Sequence, residues 1–202
     1  MSKTTIPTGG LADAAVTTAK ITDANITTAK IADDAVTAAK STGLGISQAQ
    51  VWRLTTTFTG DAQPIASNLE AQDTYSSGSI GSAMTQSSGI FTFPSTGIWL
   101  IQATGEFYYS GASRYNQLII EVTTDNSSYN EASKNSAGIV QAESTHTYNS
   151  CPTQLLLDVT NTTNVKVRFT ISVSDNYTST AGHSDYNRTS FSFLRIGDTW
   201  YG

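Results

Sequence analysis

Residues 11–40 repeat with a period of ten: Leu11-Ala-Asp-Ala-Ala-Val16-Thr-Thr-Ala-Lys20, Ile21-Thr-Asp-Ala-Asn-Ile26-Thr-Thr-Ala-Lys30, Ile31-Ala-Asp-Asp-Ala-Val36-Thr-Ala-Ala-Lys40. The aliphatic positions Leu11, Val16, Ile21, Ile26, Ile31 and Val36 recur every five residues, and Ile6 extends the series backward. Ile46 and Val51 continue it beyond a gap at Ser41. This spacing suits neither regular element. On an α-helix it rotates the apolar position by about 500°, so no fixed face forms. On a strand an odd spacing alternates the faces. A decad built from a short helical turn and a reversal accommodates it. Thr17, Thr27 and Thr37 would be N-caps of segments ending at Lys20, Lys30 and Lys40, and Asp13, Asp23 and Asp33 would sit in the turns. A β-spiral is the other conformation open to such a repeat. One copy cannot bury its own aliphatics. It is either a disordered spacer or it is wound with copies of itself, and three chains about an axis would bury Ile6, Leu11, Val16, Ile21, Ile26, Ile31 and Val36 as a common core. The strict register favours the wound form, since a spacer does not need it.

From about Gln48 the character changes: alanines thin out and aromatics appear. In 165–173 apolar and polar residues alternate, placing Val165, Val167, Phe169, Ile171 and Val173 on one face of a half-buried strand. Phe191 and Phe193 have the same period, as do Leu155, Leu157 and Val159. After Gly97, so do Trp99, Ile101, Ala103, Gly105 and Phe107. Segments 51–58 and 117–123 are further candidate strands. Gly-, Asn- and Ser-rich stretches at 75–89, 125–138 and 175–188 read as the loops between them. Only 13% of residues are charged, and Ser, Thr, Asn and Gly are abundant, which suits short strands and many turns rather than a helical globule. The expected organisation is an N-terminal anchor and decad stalk over 1–46 and an all-β sandwich or jelly-roll over 47–202.

The chain's chemistry is sparse. The net charge of -5 and the lack of a basic cluster argue against nucleic acid and against an anionic membrane surface. No apolar run is long enough to insert in a membrane, and Met1-Ser2-Lys3-Thr4-Thr5 is not a signal peptide. The single cysteine, Cys151, precedes Pro152 with no local base and reads as a buried, inert thiol. His146 and His183 lie in polar segments without metal-ligand spacing and read as solvated. Asn-x-Ser/Thr triplets at Asn126, Asn161, Asn176 and Asn187 are what chance gives in a Ser/Thr-rich chain. Neither a catalytic constellation nor a phosphate loop is present, so the chain is read as a non-enzyme without cofactor. Aromatic rings mixed with Ser, Asn and Asp make Tyr177 and Tyr186 candidates either for contact with a host cell-surface glycan or for filling a subunit interface.

Two resemblances follow from these residues. The unit Ile-x-Asp-x-x-Val/Ile-Thr-Thr-Ala-Lys, over residues 5–40, resembles the stalk repeat of phage head and tail fibre proteins. In the C-terminal part, Gly89, Phe91, Pro94, Gly97 and Trp99, with the closing Phe191 and Phe193, resemble the C1q/TNF-like jelly-roll. The sequence departs from that pattern in placing Phe93 directly before Pro94 and in its long polar loops. The second resemblance implies a homotrimer, with Tyr108 and Tyr109 at the subunit interface. It also admits an ion bound by His146 on the three-fold axis and a structural calcium among Asp125, Glu131, Asp158, Asp175 and Asp185, though no run spaces these as a calcium loop does. Together the two imply a protein made in the host bacterial cytoplasm and carried on the virion surface. It would be a trimeric head or tail fibre or capsid decoration protein, joined to other virion proteins through its N-terminus. The alternative is an adhesin that binds host glycan.

Overall fold

The structure, a computed structural model, describes residues 46–142 and 144–200 and the single positions 17, 21, 26, 27 and 31. Ile21, Ile26 and Ile31 of the decad series are exposed in the single chain. Ile6, Leu11, Val16 and Val36 lie outside the described residues.

Twelve strands make up the described part: β1 (Gln48–Leu54), β2 (Phe58–Thr59), β3 (Leu69–Ala71), β4 (Thr85–Ser87), β5 (Ile90–Thr92), β6 (Gly97–Tyr109), β7 (Ser113–Thr123), β8 (Asn130–Ile139), β9 (Thr147–Val159), β10 (Lys166–Val173), β11 (Ser179–Thr180) and β12 (Ser190–Gly197). They form two antiparallel sheets. In the first, β6 is flanked by β9 along one edge and by β12 and then β11 along the other; β1 and β3 follow β12, and β2 follows β11. The second sheet runs β4-β5-β10-β7-β8.

The alternation in the sequence makes the sandwich. Trp99, Ile101, Ala103 and Phe107 of β6 and Phe191 and Phe193 of β12 point inward from the first sheet, and all are buried. Phe91, Leu118, Ile120, Val167, Phe169 and Ile171 meet them from the second. Phe169 stacks on Phe191 with ring centres 4.1 Å apart, and Phe91 lies within 5.1 Å of Phe193, so aromatic contacts join the layers. Gly97 begins β6 at φ 137°, with the Gly197 carbonyl 2.5 Å from where a Cβ would stand, so only glycine fits there.

Three expectations are corrected. The stretch 125–138 is not a loop, because most of it belongs to the ten-residue strand β8. This strand is an edge strand, paired only with β7, and its mostly exposed polar side chains hide the apolar alternation on which sequence reading depends. The loops 75–89 and 175–188 likewise contain the short strands β4 and β11. The candidate strand 51–58 is two strands, β1 and β2, since Thr55, Thr56 and Thr57 leave the ladder.

Candidate functional site

The side chains that point outward from the first sheet form a single surface across four strands. Register places Ile98, Leu100, Gln102, Thr104, Glu106 and Tyr108 of β6 opposite Asp158, Leu156, Gln154, Pro152, Ser150 and Tyr148 of β9. Across the other edge of β6, Ser190, Ser192 and Leu194 of β12 lie beside Thr104, Gln102 and Leu100. Val51 and Ala49 of β1 follow beside Ser192 and Leu194. Between Asp158 at one end and Glu106 at the other, no charged side chain falls on β6, β9 or β12 in this surface; on β1 the same phase continues, opposite Ser190, to Arg53, whose side chain is buried and paired with Glu70 and Asp73. Leu156 is 49% exposed there, with Leu100 and Leu194 half-buried beside it.

The Glu106 end is different. Arg188 donates Nη2–H to Glu106 Oε1 at 2.6 Å and Nε–H to Oε2 at 3.2 Å. This pairing holds the guanidinium above its ordinary pKa, against a partial desolvation that lowers it. The same guanidinium lies 5.3 Å from the centre of the Tyr148 ring and 5.9 Å from that of Tyr108, within cation–π range. His146 packs on Tyr108 with centroids 4.7 Å apart, and Tyr108 packs on Tyr148 at 5.1 Å. A partly exposed cluster of three rings and an ion pair therefore caps an uncharged, partly apolar field.

The tyrosines expected at a subunit interface separate here. Tyr108 belongs to the outward surface, whereas Tyr109 packs against the core and has its hydroxyl raised by burial and then by Asp175. His146 is exposed, as the sequence indicated, but it is held in the ring cluster. Its signal was Tyr108, whose outward phase only the β6–β9 register discloses.

Tyr177 and Tyr186 are both exposed, at 77% and 51%. Tyr177 follows a turn in which Asp175 Oδ1 accepts its amide at 2.9 Å. Tyr186 stacks on His183 with ring centres 3.8 Å apart, and His183 Nδ1 accepts the Asp185 amide. The two tyrosines make no ring contact with each other and stand on separate parts of the segment.

The carboxylates weighed for calcium serve locally. Asp125 Oδ1 accepts the amides of Ser127 and Ser128 and the Thr123 hydroxyl, Glu131 pairs with Lys134, and Asp158 accepts the Trp200 amide. Among the described residues no three His, Cys, Asp or Glu side chains come together as a metal site. Cys151 is buried, and burial raises its thiol. Sequence reading missed Arg53, a wholly buried guanidinium that reaches Glu70, Asp73 and Thr74.

No protein-family model matches the sequence, and no curated protein matches it. Solved structures do match the fold. The crystal structure of murine APRIL at pH 5.0 aligns with a TM-score of 0.52 and 10% identity, covering 73% of this chain and 98% of that one. The structure of Eiger TNF from S. frugiperda aligns with a TM-score of 0.54 and 14% identity, covering 76% of this chain and 94% of that one. The described domain is therefore a jelly-roll β-sandwich of the C1q/TNF-like fold.

Proposed function

We propose that the chain is a non-catalytic structural protein of a bacteriophage particle. In this reading it is a homotrimeric head or tail fibre or capsid decoration protein, with the jelly-roll head exposed on the virion surface and the decad repeats as its stalk. The observation that carries the trimer is the uncharged, partly apolar outward field on β6, β9 and β12. The solvent face of an antiparallel sheet usually carries polar and charged side chains, yet on β6, β9 and β12 this one presents Leu100, Leu156 and Leu194 with no charge between Asp158 and Glu106. Contact with further copies of the chain removes that apolar area from water. The decad aliphatics support the same stoichiometry, because three chains around one axis bury all of them. The stalk's resemblance to phage fibre repeats supports the virion assignment, and residues 1–10 would join other virion proteins.

Sedimentation equilibrium on the full chain tests the trimer. A mass of three times 21.5 kDa is expected, with Leu156→Glu giving a folded monomer or a much weaker trimer. A monomeric wild-type chain at tens of micromolar would overturn it. Antibody raised against residues 46–200 should decorate intact phage particles, and the virion assignment falls if it does not.

A second reading has its own observation. Tyr177 and Tyr186 present large aromatic surfaces to solvent, which suits adhesion to a host glycan. The two readings are compatible.

A further inference from the structure

We infer that the chain binds a neutral glycan in the groove between edge strands β3 and β4, with Trp52 as its platform. The inference rests on the adhesin reading for the class of ligand only; it assigns a different site and does not depend on the trimer.

β3 closes the first sheet and β4 the second, and each is only three residues long. Trp52 pairs with Phe191 on one side and Ala71 on the other, so it shares the inward phase of the core. No further strand covers it, and it remains half-buried, lining a groove with Thr55, Asn68, Leu69, Ala71, Gln86 and Ser184. The indole is fixed. Its Nε1–H donates to Gln50 Oε1 at 3.0 Å, and its ring meets Phe91 edge to face at 5.3 Å. Holding it there costs a ligand no ordering.

The polar rim keeps hydrogen-bonding capacity in reserve. Asn68 gives its backbone carbonyl to the Thr55 amide and hydroxyl, and its side-chain amide has no hydrogen-bond partner among the described residues. Gln86 gives only Oε1, to the Gly89 amide, and keeps its NH2. Ser184 donates to Asp185 and retains its lone pairs. Donors and acceptors thus surround an aromatic surface, which matches a pyranose with its apolar ring face and its fringe of hydroxyls. Charge decides which sugars fit. The one ionisable residue lining the groove, Glu70, has its carboxylate held by Arg53 Nε and Nη2 at 3.2 and 3.1 Å, and the Arg53 guanidinium is itself fully buried. No cation is presented to a uronate or a sialic acid, so uncharged hexoses are selected.

The experiment uses the full chain on an array of neutral glucose-, galactose- and mannose-containing oligosaccharides, with sialylated and uronate-containing ones beside them. Two variants address the groove. Asn68→Gly removes the amide and tolerates the φ of 59° at that position. Ala71→Trp fills the groove. A third, Tyr177→Ser with Tyr186→Ser, addresses the loop tyrosines. Circular dichroism and solution mass must match wild type for each. The expected result is binding of neutral glycans, weakened roughly fivefold by Asn68→Gly, the loss of about one hydrogen bond. Ala71→Trp should abolish it and the tyrosine variant should keep it, with the Trp52 indole N–H resonance shifting on titration. Loss in the tyrosine variant alone overturns the groove and leaves the adhesin reading standing. Binding of acidic glycans only also overturns the groove. No binding to any glycan overturns both.

Discussion

Arg188 and Glu106 form a two-point ion pair beside the rings of Tyr108 and Tyr148, at the edge of the uncharged field on the first sheet. In the free head this pair keeps partial access to water, with side chains 22% and 25% exposed. It should then contribute no more than about 1 kcal/mol to folding. If a second copy covers the face, the same pair loses its solvent, and truncating one partner strands the other; such losses run to roughly 2 kcal/mol or more. Arg188→Ala is therefore expected to weaken self-association by more than about tenfold while moving the unfolding midpoint little. Sedimentation equilibrium and urea unfolding of the same variant separate the two effects. Equal losses in both would make the pair a fold element and nothing more.

Arg53 behaves in the opposite manner. Its guanidinium is fully buried, while its partners Glu70 and Asp73 stay in reach of water, with side chains 39% and 66% exposed. Breaking the cluster from the two ends should thus have unequal costs. Removing the acids together, Glu70→Gln with Asp73→Asn, leaves a buried cation without a counter-charge and should cost roughly 3 kcal/mol. Arg53→Met leaves two carboxylates that hydrate freely, and its aliphatic chain keeps the packing, so it should cost less, about 1 kcal/mol. Urea midpoints at constant m-value test the order of the two.

Asp125 gives the head an acid-sensitive turn. The amide of Ser128, the hydroxyl of Thr123 and the amide of Ser127 hold its carboxyl at about 2, below the 3.8 of an unperturbed aspartate. Because the folded value is the lower one, the turn's contribution is complete above the unfolded pKa and declines as pH falls from about 4 to about 2. A carbon-detected NMR titration should place the Asp125 midpoint near 2. Asp125→Asn should remove its part of the pH dependence in that window while leaving stability at pH 7 lower than wild type. A midpoint near 4 would mean that the turn does not engage the carboxylate.

What was legible in the sequence is what burial writes into it. β6, β10 and β12 were readable because one side of each faces the core and alternation records that directly. Pro94 and Gly97 marked the turn before β6 for the same local reasons that the structure shows. β8 was not readable, because an edge strand with mostly exposed, polar side chains bears no periodic mark. Arg53 was hidden because a buried guanidinium depends on partners 17 and 20 positions away, brought in by β3 and the loop after it. The outward field needed the register of three strands at once. Leu100, Leu156 and Leu194 are unremarkable singly, and only pairing makes them neighbours. Tyr177 and Tyr186 are both exposed, but their nearness in sequence does not make them one site.

Neighbouring residues of β12 carry the sharpest test, because they face opposite ways. Phe193 is fully buried between Phe91, Phe93 and Phe169, while Leu194 looks out beside Leu100 and Ala49. Phe193→Ala opens a cavity in the aromatic layer that joins the sheets and should cost about 3–5 kcal/mol of folding stability. Leu194→Ala removes apolar area from a half-exposed surface, where the sheet beneath needs nothing from it, and should cost below about 1 kcal/mol in a monomeric state. Self-association should rank the pair the other way once stability is corrected for. Leu194→Ala loses contact area from the association face directly, whereas the folded fraction of Phe193→Ala keeps that face intact. Measuring urea midpoints and association constants for both variants gives four numbers that must cross over. If Leu194→Ala leaves association unchanged, the outward field is not where copies of this chain meet.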